Sequence, residues 1–164
     1  MRQTEQNVSP MSNEGRNAYV IQHLTDAFLS LFSQKPINDI SISELVETAG
    51  VGRASFYRNY ESKEDILKAY LNERFLEVKD EWAKNSGAPL SEQVRIMINH
   101  FEKHRSFYQL LNDRGQTYML KDVIIDLCGP KPEYEAVQAY ASAFVAYTLY
   151  GWIDVWFQRG MKES

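Results

Sequence analysis

The sequence predicts an all-α protein, and three observations carry that prediction. Apolar residues return at three- and four-residue steps in one segment after another. Serine, glycine and proline stand where those segments begin and end, and no alternating strand pattern of useful length occurs.

Residues 1–13 (MRQTEQNVSPMSN) lack periodicity and read as a flexible arm. The helical pattern starts at about Glu14, with Val20, Ile21, Leu24, Ala27, Phe28, Leu31 and Phe32 on one stripe. Pro36 ends it, and a linker runs to Ile40. Ser41-Ile42-Ser43-Glu44 fits a capping box, in which the serine hydroxyl accepts an orphan backbone N–H and the glutamate reaches back. That helix runs to Ala49 and breaks at Gly50, where a residue without Cβ can take positive φ. Gly52 caps a short piece from Arg53 to about Tyr60. Ser62 caps a longer helix with the stripe Ile66, Leu67, Tyr70, Leu71, Phe75, Val78 and Trp82. After the 86–89 loop (SGAP), helices read from Ser91 through His104, from Ser106 to Leu111 and from Gln116 to Leu127. Gly129-Pro130-Lys131-Pro132 interrupts the chain before a last helix from about Glu133 to Arg159, with Gly160 in the C-capping place.

Hydrophobic residues make up 44% and charged residues 24% of the 164, enough for a folded core and against wholesale disorder. A single cysteine, Cys128, excludes an intrachain disulfide. With no apolar run after Arg2, the expected location is cytoplasmic. The net charge of −4 counts against nucleic-acid binding, and through residue 70 seven Lys and Arg face nine Asp and Glu. Any DNA-binding face must therefore come from arrangement, since composition does not supply it.

Such an arrangement is present. Two short helices joined by Ala49-Gly50-Val51-Gly52 form the core of a helix-turn-helix. Leu45, Val46, Ala49, Val51 and Phe56 lock the pair, while Arg53, Ser55, Arg58 and Asn59 supply a polar outward face. Tyr57 follows Phe56 directly, so both cannot face one core, and Tyr57 is left outward.

The stretch from Ile42 to Leu67, ISELVETAGVGRASFYRNYESKEDIL, resembles the DNA-binding signature of the tetracycline-repressor (TetR) family. The likeness lies in the Ala49-Gly50-Val51 turn, the helix closing on Tyr57 to Tyr60, and the Ser62-Lys63-Glu64 helix start. The preceding helix, Ala27-Phe28 through Leu31-Phe32, also matches, so roughly residues 14–70 are covered. The resemblance implies that Ser41 caps the motif near a phosphate and that Tyr57, Asn59 and Lys63 hold phosphates, Lys63 aided by its own helix dipole. It implies that Arg53, Ala54, Ser55 and Arg58 face the major groove of double-stranded operator DNA, where arginine suits guanine and alanine a thymine methyl. The chain departs from the pattern at Val46 (alanine is usual), Gly52 (serine) and Tyr60 (phenylalanine), and Gly52 removes one possible phosphate donor.

The resemblance further implies a helix-turn-helix domain over 14–61 and a helical effector-binding and dimerisation domain over 62–164. The expected protein is a homodimeric transcriptional regulator, a repressor released by an unknown small-molecule effector, with no catalytic residues, cofactor, metal or membrane partner. Many relatives continue with more helix past the point where this chain reaches Ser164, so a truncated end is one expectation. From Ala136 to Ile153 no residue is charged, a length near that of a membrane span. Gln138, Ser142, Thr148, five alanines and the lack of flanking basic residues argue for a buried central helix instead. Ala139, Ala143 and Ala146 would let a second subunit's helix approach closely. Phe101, His104, Tyr108, Tyr118, Phe144, Tyr147 and Trp152 are candidates for the effector pocket, with ordinary core packing as the competing role.

An alternative is a metal- or redox-responsive helical sensor or adaptor in which DNA binding is weak or lost. His100 and His104 are four apart and could meet one metal from a single helix face. Glu102 does not follow the first histidine directly, so the zinc-hydrolase arrangement is absent. Cys128 beside Gly129-Pro130 is the redox candidate.

Overall fold

The computed structural model describes residues 12–162, so most of the arm expected over 1–13 and the last two residues lie outside the described part. Among the described residues there are eight α-helices, one 3-10 turn and no strand. The helices are α1 (Asn13–Gln34), α2 (Ile42–Ala49), α3 (Arg53–Asn59), α4 (Lys63–Lys84), α5 (Leu90–Lys103), α6 (Arg105–Asp113), α7 (Thr117–Cys128) and α8 (Ala136–Gln158). The 3-10 turn, Ile37–Asp39, lies where the sequence suggests only a linker. Its Ile37 and the adjoining Ile40 are buried, which is why the segment is held.

Two compact units result, one through Leu67 and the other from Lys68. The division falls inside α4, later than the boundary expected before Ser62. Lys63 explains part of the difference, because its ammonium donates to the carbonyls of Ile40 (2.7 Å) and Asn38 (3.2 Å) and ties the start of α4 to the first unit.

In the first unit, α1 contributes Leu24, Ala27, Phe28, Leu31 and Phe32 to the core. Phe28 and Phe32 stack with ring centroids 5.5 Å apart. Ile21, expected on this stripe, is exposed because burial along α1 begins only at Leu24. Leu45 and Ala49 of α2 and Phe56 of α3 complete the packing. Burying each large side chain here is worth about 1.5–3 kcal/mol, which locks the two short helices at a fixed angle.

The turn between them follows the chemistry expected of it. Gly50 takes φ +65°, and Val51 N–H returns to Val46 O at 3.0 Å, closing the helix with a left-handed cap. The capping box at Ser41 forms only by half. Ser41 Oγ accepts from Glu44 N at 3.1 Å, but the Glu44 carboxylate is engaged by Lys35 Nζ at 2.6 Å. A reciprocal box occurs instead at Ser62, whose Oγ accepts from Asp65 N at 3.3 Å while Asp65 Oδ2 accepts from Ser62 N at 2.7 Å.

The second unit is built from the rest of α4 and from α5 to α8, with α7 packed along α8. Its core includes Leu71, Phe75 and Val78 of α4, Met97 and Phe101 of α5, Tyr108 and Leu111 of α6, and Leu120 and Ile124 of α7. From α8 come Ala146, Leu149, Ile153 and Phe157. The Trp82 indole donates to Gln93 O at 3.0 Å, joining α4 to α5. No helix among the described residues is long and apolar enough to cross a membrane.

Candidate nucleic-acid interface

α3 turns two adjacent aromatic residues to opposite sides. Phe56 is fully buried, whereas Tyr57 is 51% exposed. Arg53, Ala54 and Arg58 are exposed on the same short helix, and Ser55 and Asn59 are half-buried. The Arg53 guanidinium lies 5.6 Å from the centroid of the Tyr57 ring, one turn away. Its Nη2 donates to the Tyr57 hydroxyl at 3.3 Å and its Nη1 to Ser43 Oγ at 3.4 Å. These contacts are long and solvent-facing, so they orient the arginine while holding it only weakly.

The residues expected at phosphates are placed less uniformly. Ser41 is exposed at the N-terminus of α2 with its hydroxyl already accepting from Glu44 N. Asn59 Nδ2 donates to Ser55 O at 2.9 Å, which uses one of its two N–H donors. Lys63 spends two of three ammonium protons on the carbonyls of Asn38 and Ile40, leaving one for a phosphate. Lys63 thus has a structural role beside the phosphate contact expected of it. Three further polar residues join the face: Ser43 of α2 beside Arg53, and Arg16 and Asn17 of α1. Arg16, Asn17, Ser55, Arg58 and Asn59 border a groove of about 650 Å³ between α1 and α3. The α1 pair continues the apolar stripe toward the N-terminus, Asn17 standing seven residues before Leu24 and Arg16 eleven before Ala27, so this face of the helix turns polar where it borders the groove.

Gly52, the departure from the serine usual in TetR-like sequences, has φ −74° and ψ 146°, open to any residue, and a Cβ there would meet nothing within 4 Å. Gly52→Ser is expected to stabilise the protein by about 0.5–1 kcal/mol, through an N-cap oxygen and a less flexible unfolded chain. Urea unfolding checks this, and a lower midpoint would contradict it.

The seven residues expected to line an effector pocket do not share one. Phe101 and Trp152 border an apolar cleft of about 420 Å³ with Met97, Ile98, Ile153 and Trp156. Phe144 and Trp152 border a second of about 310 Å³ with Trp82, Val145 and Leu149. Tyr108 is wholly buried and its hydroxyl meets His100 Nε2 at 3.0 Å, so it is core. Burial pushes its phenol well above the usual range. Tyr118 and Tyr147 are exposed instead. His104 sits in a polar cluster with His100 and Glu77, away from both clefts. Burial holds the imidazole of His100 down at about 4 and lowers that of His104 too, so both are neutral near pH 7. Burial also pushes the Cys128 thiol up, which leaves little thiolate for oxidation.

The three alanines expected at a dimer contact differ in exposure. Ala146 is fully buried within its own unit, and Ala139 and Ala143 are partly covered. Besides Val145 and Trp152, α8 leaves exposed Val137 (83%), Tyr140, Phe144 (73%), Tyr147 and Val155. Spaced by three or four up to Tyr147, they form one stripe.

Fold and site together define a helix-turn-helix protein. Residues 24–70 match the family described as "Bacterial regulatory proteins, tetR family". The chain is 33% identical over 88 residues to the HTH-type transcriptional regulator AcrR of Shigella flexneri, covering 49% of this chain and 40% of that protein. It is 22% identical over 86 residues to the HTH-type dhaKLM operon transcriptional activator DhaS of Lactococcus lactis subsp. lactis (strain IL1403), covering 52% of this chain and 45% of that one. The chain thus spans less than half the length of these relatives. Residues 24–70, nearly all of them in the first unit, are thus similar to the DNA-binding segment of the tetR family.

Proposed function

We propose that this protein is a sequence-specific DNA-binding regulator of transcription that works as a homodimer on a two-fold operator. The observation that carries the reading is the outward surface of α3, where Arg53, Ala54, Tyr57 and Arg58 stand together while Phe56 anchors the helix from behind. A helix of seven residues held against α1 and α2 presents its N-terminal end to the major groove, as recognition helices do. Phosphate contacts depend on local basic groups more than on net charge, and here Arg16 and Lys63 are the ones proposed.

The second copy is read as docking on the exposed stripe of α8, since an apolar surface of this kind marks an interaction site. The effector is read as a small, largely apolar molecule taken by the cleft between α5 and α8, whose volume falls in the range of ligand pockets and whose single charged neighbour is Arg159. Repression relieved by that molecule is the mode proposed. A ligand shifts operator affinity only by as much as it favours one conformation over the other.

Selection of bound fragments from random DNA is expected to return a pseudo-palindrome. On that operator, Arg53→Ala should lose about 1–3 kcal/mol of discrimination at one base pair per half-site while keeping non-specific binding. A gel-shift series across salt checks both, and equal losses on every sequence would remove Arg53 from the base-reading set.

A further inference from the structure

Glu77 of α4 and two histidines of α5 and its C-cap converge on one point that borders neither apolar cleft. We propose that Glu77 Oε2, His100 Nδ1 and His104 Nε2 form a site for a divalent transition-metal ion of the zinc class. The three ligand atoms lie within 4.8 Å of one another. Glu77 Oε2 is 3.8 Å from His100 Nδ1 and 3.7 Å from His104 Nε2. Those separations are too long for hydrogen bonds and too short for an intervening water. Donor atoms around a tetrahedral ion with bonds of about 2.0–2.1 Å stand roughly 3.3 Å apart, so small side-chain rotations would close the site on an ion.

The groups behind these three atoms are set as a metal site requires. His100, with its side chain 7% exposed, meets the Tyr108 hydroxyl through Nε2 at 3.0 Å. That contact holds the ring so that Nδ1 faces Glu77, the arrangement by which metal-binding histidines are oriented. Arg74 Nη1 holds Glu77 Oε1 at 2.8 Å, which turns Oε2 toward the histidines. His104 follows His100 by one helical turn and lies on the same side, with ring centroids 4.9 Å apart. Its Nε2 is shielded from solvent and has no hydrogen-bond partner. A buried nitrogen in that condition is costly unless something occupies the space before it, and a metal ion would.

Access and chemistry agree. A polar groove bordered by Glu77, Asp80, Asn99, His100 and Lys103 leads to the cluster from solvent. Two imidazoles and one carboxylate suit zinc, cobalt, nickel or copper better than magnesium or calcium, which prefer oxygen alone. Three protein ligands leave a fourth position for water or a small anion.

The test is titration of metal-stripped full-length protein with cobalt(II), followed by zinc(II) competition. The expected result is one equivalent bound, with the intense visible absorption of a four-coordinate cobalt site that zinc abolishes. His104→Ala and Glu77→Gln should each weaken binding at least tenfold, and His23→Ala, altering the remaining histidine of the chain, should leave it unchanged. Glu77→Gln keeps the side chain's size, and circular dichroism should show its helices intact. No binding, more than one equivalent without a dominant site, or affinity that survives His104→Ala and Glu77→Gln would overturn the assignment. Operator binding is read separately, so a failed metal titration leaves the DNA-binding proposal standing.

Discussion

Phe144→Glu is expected to convert the proposed dimer into a monomer and to lower operator affinity by about 10²–10⁴-fold, because each recognition helix would then bind its half-site without the tether of the other. Phe144 is 73% exposed, so a carboxylate there costs the isolated subunit little. Between two copies the same carboxylate would be buried without a partner, at a cost of several kcal/mol. Light scattering after gel filtration reads the mass, and a gel shift on half-site and full-site DNA reads the coupling. Ala139→Glu is the informative comparison. If the alanine face formed the contact, it and not Phe144→Glu would dissociate the dimer. A dimer that withstands Phe144→Glu would remove α8's exposed stripe from the interface.

The second large effect separates two neighbouring rings. Phe56→Ala should destabilise the first unit by about 3–5 kcal/mol, since it empties a fully buried site between α1, α2 and α3. A unit of this size has little stability to spare, so DNA binding would vanish through unfolding. Tyr57→Ala should leave the urea midpoint nearly unchanged and still weaken operator binding, because the ring that orients Arg53 is lost. Opposite behaviour, with Tyr57→Ala unfolding the unit and Phe56→Ala tolerated, would reverse the assignment of inner and outer faces.

The first unit was legible in the sequence because its signals are local. Gly50 at positive φ, the Ser41 and Ser62 caps and the adjacency of Phe56 and Tyr57 act within a few residues, and each acts as its chemistry dictates. Lys63 was harder to read. Its sequence position suits a phosphate, but the carbonyls that claim its ammonium lie more than twenty residues earlier. Glu44 was diverted in the same way by Lys35, nine residues back.

In the second unit the residue types were informative and their directions were not. An α8 apolar on every side offers no contrast by which to choose an inner face, so its sequence does not distinguish Ala146, which packs inward, from Ala139 and Ala143, which stay partly accessible. The aromatic candidates for a pocket divided between core, surface and two clefts for the same reason, since helical spacing groups residues on a face without naming what covers it. The pair His100 and His104 was visible as a spacing, but Glu77, Arg74 and Tyr108 come from other helices.

The amino-acid order alone determined the all-α class, the helix-turn-helix and which face of α3 looks outward, because periodicity, caps and a left-handed glycine operate over one or two turns. Tertiary structure alone decided which side of α8 is exposed, what Lys63 holds and that a carboxylate meets two histidines. Those outcomes depend on side chains brought together from distant segments, and only packing in three dimensions selects among the pairings that the sequence allows.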